Sequence, residues 1–289
     1  MDADYYGGLP AGLRALGYVE GKNLLMEWRF ADNEVARLHG LAEELVRLKM
    51  DVIVVPGEAA TRAAQKAIST IPMVVINAGD LVAMGYAASL ARPGGNITGV
   101  MNFPEDISTK HLEMLLSMVP NLSRVALLVS KPGGLYSDTI LKKIQAASAS
   151  TKTGVSILTV EAGNTKEIET AFAMMTREKA GAVIVLQSPL FYEQRKQIAE
   201  LAAKYRLPSV SSYREYAEAG CLMTYGQNNA ESFRRAASYV DKILKGAKPG
   251  DLPIEQPTTF EMIINGKTAK ALGLTIPPSL MISANKVIE

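Results

Sequence analysis

The chain has 289 residues, room for two compact units of roughly 145 each, and 48% of them are hydrophobic, which excludes a disordered or fibrous protein. Lys and Arg total 31 against 29 Asp and Glu, interspersed along the chain, so no basic field is available to draw nucleic acid or an anionic membrane. No apolar run approaches the ~18 residues that a spanning helix needs.

Taken in chain order, residues 1–13 lack a charged start followed by an apolar stretch, so no signal peptide is expected in this sequence. The first clear strand, 24–28, comes after a helix, whereas α/β units usually open with a strand. A strand is therefore expected to be missing in front of Met1. Val35, Leu38, Leu41, Ala42, Leu45 and Leu48 then recur at three and four residues, the stripe of an amphipathic helix. After it, short β-branched runs alternate with helical patterns. Strands are predicted at 52–56, 73–77, 97–101, 125–130, 155–160, 182–187 and 208–212, most of them continuous apolar runs of the kind buried on both faces of a parallel sheet. Helices are predicted at 59–68, 108–118, 137–150, 166–177, 191–205 and 230–244. This rhythm gives an α/β class with doubly wound parallel sheets.

Breaks fall at the turn Ala91-Arg92-Pro93-Gly94-Gly95-Asn96, in the irregular segment 102–107, and in the Pro/Gly-rich stretch 246–253. The chain therefore reads as two α/β lobes.

Familiar reaction chemistry is mostly missing. No two glycines are separated by a single residue, so the dinucleotide fingerprint is absent. Asn265-Gly266-Lys267-Thr268 resembles the end of a phosphate loop, but the required upstream glycine is Glu261. A nucleophile elbow, a zinc-protease helix motif and a C-x-x-C pair are all lacking. The single cysteine, Cys221, excludes an internal disulfide and a Cys-based metal site. His39 and His111 are far apart, and both read as ordinary helix-surface histidines. Neither a metal nor a cofactor is expected.

What remains is a set of strand-to-helix turns, the places where open α/β sheets bind ligands and where helix N-termini offer N–H groups to anions. Gly57, Glu58, Ala59, Ala60 and Thr61 leave one strand; Asn77, Gly79 and Asp80 leave the next; Lys131 through Ser137 leave a third in the second half. Such turns need Gly and Asp whatever their function, so each also has a purely structural reading. Tyr192, just after Ser188, together with Tyr213 and Tyr225, follows later strand ends, where the rings would either stack on a flat ligand or pack within the lobe.

At this point the residues resemble a known family. Gly12-Leu13-Arg14-Ala15-Leu16-Gly17-Tyr18-Val19-Glu20-Gly21-Lys22-Asn23 is similar to the opening signature of ABC-transporter substrate-binding proteins, among them members assigned to tryptophan or other aromatic amino acids. The similarity continues through Ala42-Glu43-Glu44-Leu45-Val46-Arg47-Leu48-Lys49 and residues 51–55, recurs at Ser89-Leu90-Ala91-Arg92-Pro93-Gly94-Gly95-Asn96-Ile97-Thr98-Gly99, and closes with residues 243–249, 251–257 and 269–277.

The resemblance implies a type 1 periplasmic-binding fold, two Rossmann-like lobes joined by three crossovers with hinge closure on a ligand in the cleft. Lobe one is then expected at 1–104 plus 225–252, and lobe two at 105–224 plus 253–289. The implied function is solute capture for an importer and not catalysis, with an amino acid or another small carboxylate, aromatic ones included, as ligand. The implied partner is an ABC permease in the membrane, with no nucleic acid, and the location is periplasmic or lipid-anchored outside the cytoplasm. A ligand-sensing domain of a regulator or receptor and a Rossmann-like enzyme are the competing readings, since one scaffold serves all three. The ligand carboxylate is expected on the N–H groups around residues 57–61 and a ring against Tyr192, Tyr213 or Tyr225, so that Gly57→Pro should weaken binding more than folding. Two departures follow. A missing first strand would expose sheet edges and favour pairing with another chain. Glu58 stands where relatives have a small hydroxyl residue; facing the cleft it would favour an amine, and facing solvent it would matter little.

Overall fold

The computed structural model describes residues 6–32, 34–102, 104–131, 138–150, 154–256 and 259–289. In chain order the first half contains α1 (Gly8–Ala15), α2 (Leu38–Arg47), β1 (Ile53–Pro56), α3 (Glu58–Ala67), β2 (Met73–Ala78), β3 (Ile97–Met101), α4 (Pro104–Met118), β4 (Arg124–Ser130) and α5 (Asp138–Ala149). Then follow β5 (Ser156–Ala162), α6 (Thr165–Arg177), β6 (Ala182–Val185), α7 (Pro189–Glu193), α8 (Arg195–Lys204), β7 (Ser209–Ser211), α9 (Arg214–Ala219), β8 (Met223–Gly226) and α10 (Asn229–Leu244). The chain ends with β9 (Glu261–Asn265), α11 (Gly266–Leu272), α12 (Pro278–Ser283) and β10 (Lys286–Ile288).

The chain divides into two compact units, Met1–Phe103 with Asn228–Thr258, and Pro104–Gln227 with Thr259–Glu289. Two details explain why these bounds differ from those read in the sequence. Tyr225 and Gly226 lie on β8, which pairs within the sheet of the second unit. Ile254 and Glu255 hold to the first unit, because Glu255 bridges Val100 and the Ile254 N–H donates to the Leu90 carbonyl at 2.8 Å.

Unit one carries a parallel sheet in the order β1-β2-β3. The middle strand is sealed on both faces: Met73, Val74, Val75 and Ile76 are all 0% exposed, which is why its sequence is a continuous apolar run and not an alternation. On one face lies a core with Ala42, Val55, Ala64 and Leu81; on the other, Leu9, Leu13, Phe233, Ala237 and Val240. The second core depends on a close approach of α1 to α10. A Cβ on Gly8 would lie 2.2 Å from the Ala230 carbonyl oxygen, and one on Gly12 would lie 2.7 Å from Ala237 Cβ. Residues 250–255 run beside β3: the Met101 N–H donates to Glu255 O and the Glu255 N–H donates to Gly99 O, both at 2.9 Å. Arg235 clamps the Glu255 carboxylate through two bonds of 2.6 Å, the bidentate geometry that makes arginine pairs strong.

The strand expected at 24–28 forms no ladder. Its side chains alternate as a strand's would, with Leu24, Met26 and Trp28 turned to the core while Leu25 stays 72% exposed. Among the described residues the segment makes no strand pairing beyond the single bridge Glu20–Leu24, so the apolar pattern survives while the hydrogen-bonded partner does not.

Unit two carries a larger sheet, ordered β10-β9-β8-β7-β6-β4-β5. It is parallel except where β9 runs antiparallel to β8. The chain leaves β4 outward to β5 and then returns to pair β6 on β4's other side, so the strand order reverses there, the topological position at which open α/β sheets bind ligands. The single helix expected at 191–205 is two, α7 and α8, joined at Gln194.

Candidate functional site

In unit one the C-terminal ends of the paired strands β1 and β2 carry two of the three expected turns. Gly57 turns the chain from β1 into α3 with φ 80° and ψ 163°, a conformation that glycine alone adopts without strain. Its N–H donates to the Ile76 carbonyl at 2.7 Å and its carbonyl accepts from both the N–H and the Oγ1 of buried Thr61, at 3.1 and 2.7 Å. Gly57 and Thr61 therefore build the turn. With no side chain to cap the helix, the first-turn N–H groups of Glu58, Ala59 and Ala60 precede the first intrahelical donor and point out of the helix end.

Glu58 neither faces open solvent nor stands alone. It is half-buried, pairs with Arg62 one turn later, and holds an oxygen 3.9 Å from the place a Cβ on Gly79 would occupy. Asn77 adopts the left-handed conformation at φ 55° and donates from Nδ2 to Asn229 Oδ1 at 2.8 Å, while its own Oδ1 is buried without a partner. Asp80 is exposed and accepts from the N–H groups of Val82 and Ala83 at 2.9 and 3.1 Å, so its carboxylate closes a local turn.

In unit two the expected residues separate into different roles. Lys131 pairs with Glu167 at 2.8 Å. That carboxylate also accepts from the Gly163 N–H at 2.8 Å, while Asn164 caps the Glu167 N–H at 3.0 Å, a reciprocal capping arrangement at the start of α6. Together the Lys131 ammonium and the Gly163 N–H hold the Glu167 carboxyl below its ordinary range. Ser137 lies outside the described residues. Ser188 caps α7, accepting from the Phe191 N–H at 3.1 Å.

The tyrosines form two groups. Tyr192 meets Tyr213 edge-on at 5.8 Å and Tyr216 at 6.3 Å, all three buried, and Arg195 lies 4.6 Å over the Tyr192 ring. Tyr225 instead stacks on Phe260 at 5.6 Å and 16°, half-buried.

His111 is not on the surface: it is 1% exposed, and its Nε2–H donates to the Tyr225 carbonyl at 2.7 Å. The amphipathic period placed it on α4 but could not tell which side of that helix the sheet would cover. Burial pushes its pKa down to about 4, and Nδ1 is left without a partner. His39 does sit on the surface, 3.4 Å from Glu43. The phosphate-loop lookalike is a helix start, where Asn265 accepts from the Thr268 N–H at 3.0 Å.

The model of one family, described as ABC transporter substrate binding protein, matches residues 1–288. The chain belongs to that family. A "Tyrosine-binding protein" of Clostridioides difficile (strain R20291) is 24% identical over 274 residues, covering 92% of this chain and 76% of its own. A crystal structure of a conserved domain protein from Vibrio cholerae superimposes with TM-score 0.87 at 25% identity, covering 98% of this chain and 94% of the other. The structure of an ABC domain in complex with L-Trp from Streptococcus pneumonia does so at 0.85 and 24% identity, covering 99% and 94%. These likenesses fix the fold as that of type 1 periplasmic binding proteins.

As a substrate-binding protein of an ABC transporter, the chain belongs to a class that binds small ligands outside the cytoplasm and delivers them to membrane permeases. Among the described residues no helix is long and apolar enough to cross a membrane, and no group of three or more His, Cys, Asp or Glu could hold a metal ion.

Three groups of this substrate-binding protein escaped the sequence reading. Asn229 meets Asn77 across 152 positions of sequence, a pairing that no local pattern shows. Arg195, in the first turn of α8, lies over the ring of Tyr192, which ends up on the separate short helix α7. Glu215 stands between Arg214 and Tyr216 at the start of α9, with Oε2 buried and unpartnered. One local signal was available for it: the position one turn on is Ala219, where Glu58 has Arg62, so the helix supplies no cation at that spacing.

Proposed function

We propose that this substrate-binding protein captures an amino acid with an aromatic side chain, in the periplasm or tethered by lipid outside the cytoplasm, and presents it to a membrane permease. The observation that carries the reading is the first turn of α3. Its N–H groups at Glu58, Ala59 and Ala60 lie at the end of a parallel strand with no side-chain cap, beside two alanine side chains small enough to admit a carboxylate. Gly57, Thr61, Asn77, Gly79 and Asp80 shape that edge in unit one. In unit two the proposed residues are Lys131, Ser137, Ser188, Tyr192, Tyr213 and Tyr225; Lys131, Ser188, Tyr192 and Tyr213 follow strand ends, Ser137 lies outside the described residues, and Tyr225, on β8, offers a half-buried ring already stacked on Phe260. That one relative is a tyrosine-binding protein and another is in complex with L-Trp supports an aromatic amino acid.

The test is thermal unfolding against a panel of amino acids, aromatic carboxylates, sugars, purines and polyamines. L-Tyrosine or L-tryptophan at 100 times its dissociation constant should add about 2.7 kcal/mol. A shift with a sugar or polyamine and none with aromatic amino acids would overturn the proposal.

Self-association belongs to the same reading. The outer side of β1 has no strand partner among the described residues, and an unpaired parallel edge invites another chain. Light scattering across a dilution series should show a species larger than the monomer at high concentration; a monomer throughout would count against it.

A further inference from the structure

Resting on the proposed capture of an amino acid, we infer that Glu215 is the group that receives the ligand's ammonium. Glu215 lies in the first turn of α9, immediately beyond β7, one of the parallel strands whose C-terminal ends form the ligand-facing edge of such sheets. Its Oε2 is buried and accepts no hydrogen bond, and the residue forms no ion pair among the described residues. Its carboxylate receives a hydrogen bond from its own backbone N–H.

The cations nearby are engaged elsewhere. Arg214 reaches Glu218 at 3.4 Å and Glu261 at 3.6 Å. Arg195 lies over the Tyr192 ring and donates to the Tyr192 carbonyl at 3.0 Å. Desolvation, with Glu218 adding repulsion against the weaker pull of Arg214 and Arg195, raises the Glu215 pKa.

A carboxylate oxygen held out of water without a donor is costly in a folded protein, and such orphans need an explanation. A primary ammonium supplies what is missing: three N–H donors and a positive charge. Two other carboxylates at strand ends are already satisfied, Glu58 by Arg62 and Asp80 by the N–H groups of Val82 and Ala83. Tyr213 and Tyr216, which flank Glu215 in sequence, both pack edge-on against Tyr192, so the same short helix start carries aromatic rings as well as the acceptor. The ligand class this selects is a zwitterion with an aromatic side chain, in preference to a simple aromatic carboxylate.

The experiment is calorimetric titration of the full chain and of Glu215→Gln with L-tyrosine, L-tryptophan and their deaminated counterparts, 3-(4-hydroxyphenyl)propionate and indole-3-propionate. The parent should prefer the amino acids, and Glu215→Gln should lose affinity for them by about 100-fold, the range seen when one partner of a desolvated charge pair is removed. Its affinity for the deaminated acids should be unchanged. Parent affinity for the amino acids should fall on acidification as Glu215 protonates, and the variant should show no such dependence. Glu215→Asp, which keeps the charge on a shorter stem, should recover part of the loss. Amino-acid binding by Glu215→Gln equal to the parent's would overturn the inference and leave the proposed function standing. A parent that binds no amino acid at all would overturn the proposed function and this inference with it.

Discussion

Unit one and unit two both finish parallel strands in short turns that open helices, yet they leave opposite polar groups unmatched. At the end of β1 the unmatched groups are donors: the α3 first-turn N–H groups, with the one acidic side chain there tied to Arg62. At the end of β7 the unmatched group is an acceptor, Glu215 Oε2. The difference arises one helical turn downstream, where α3 has an arginine and α9 an alanine. A strand-end carboxylate therefore carries no functional meaning until its neighbour at i+4 is known.

The largest effect expected is from Gly57→Pro, and it falls on folding. The sequence alone recommends this substitution as a probe of binding. The structure argues otherwise, because Gly57 needs φ 80°, which proline cannot adopt, and its N–H is held by Ile76 at 2.7 Å. Loss of about 3 kcal/mol or more is expected. Urea unfolding measures it, and a folded variant of parental stability would show that the β1 turn is not the rigid platform described.

The next effect sharpens the contrast from the side of unit two, which buries ionisable groups with unmatched atoms. His111 is neutral in both states above pH 6.5 or so. Below that the unfolded chain takes up the proton while the folded imidazole, with its pKa near 4, resists it. Stability should therefore decline as pH falls from about 6.5 to about 4, by up to about 3 kcal/mol. His111→Asn should flatten that window in denaturant titrations at several pH values. An unaltered pH slope would mean that the group responsible lies elsewhere.

Most of the fold was legible because parallel strands buried on both faces print themselves as apolar runs. The stretch 73–77 was read as a strand, and β2 is one, its residues fully covered. The run 24–28 shows the limit of that signal: alternation records which side chains face the core, whereas a strand also needs a neighbour, and pairing is not local. Short strands with mixed composition, such as β8 and β10, carried too little pattern to be read. At the site, glycine at the β1 turn was readable from chemistry, since a sharp exit to a helix requires it. Its N–H was not available to a ligand, however, because Ile76, nineteen residues later in the sequence, takes it. Lys131 was readable as a strand-end cation but not as the partner of Glu167, which arrives from the start of α6. Tyr192 and Tyr213 could be named as aromatics near strand ends, while their edge-on packing with each other and of Tyr192 with Tyr216 depended on where α7 and α9 come to lie.

The smallest effect bears most directly on the comparison. Glu58→Gln removes the charge that pairs with Arg62, an i,i+4 surface pair of the kind that contributes about 0.3–0.5 kcal/mol. It also removes a negative charge from the helix end where α3 N–H groups meet the proposed carboxylate. Stability should therefore fall only slightly, while affinity for an amino acid should hold or rise by a few-fold, opposite in sign to the loss expected for Glu215→Gln. Titrating both variants with the same ligand in the same buffer makes the test. A drop in affinity for Glu58→Gln as large as that for Glu215→Gln would mean that Glu58 leaves Arg62 to meet the ammonium, and that the two strand ends are alike after all.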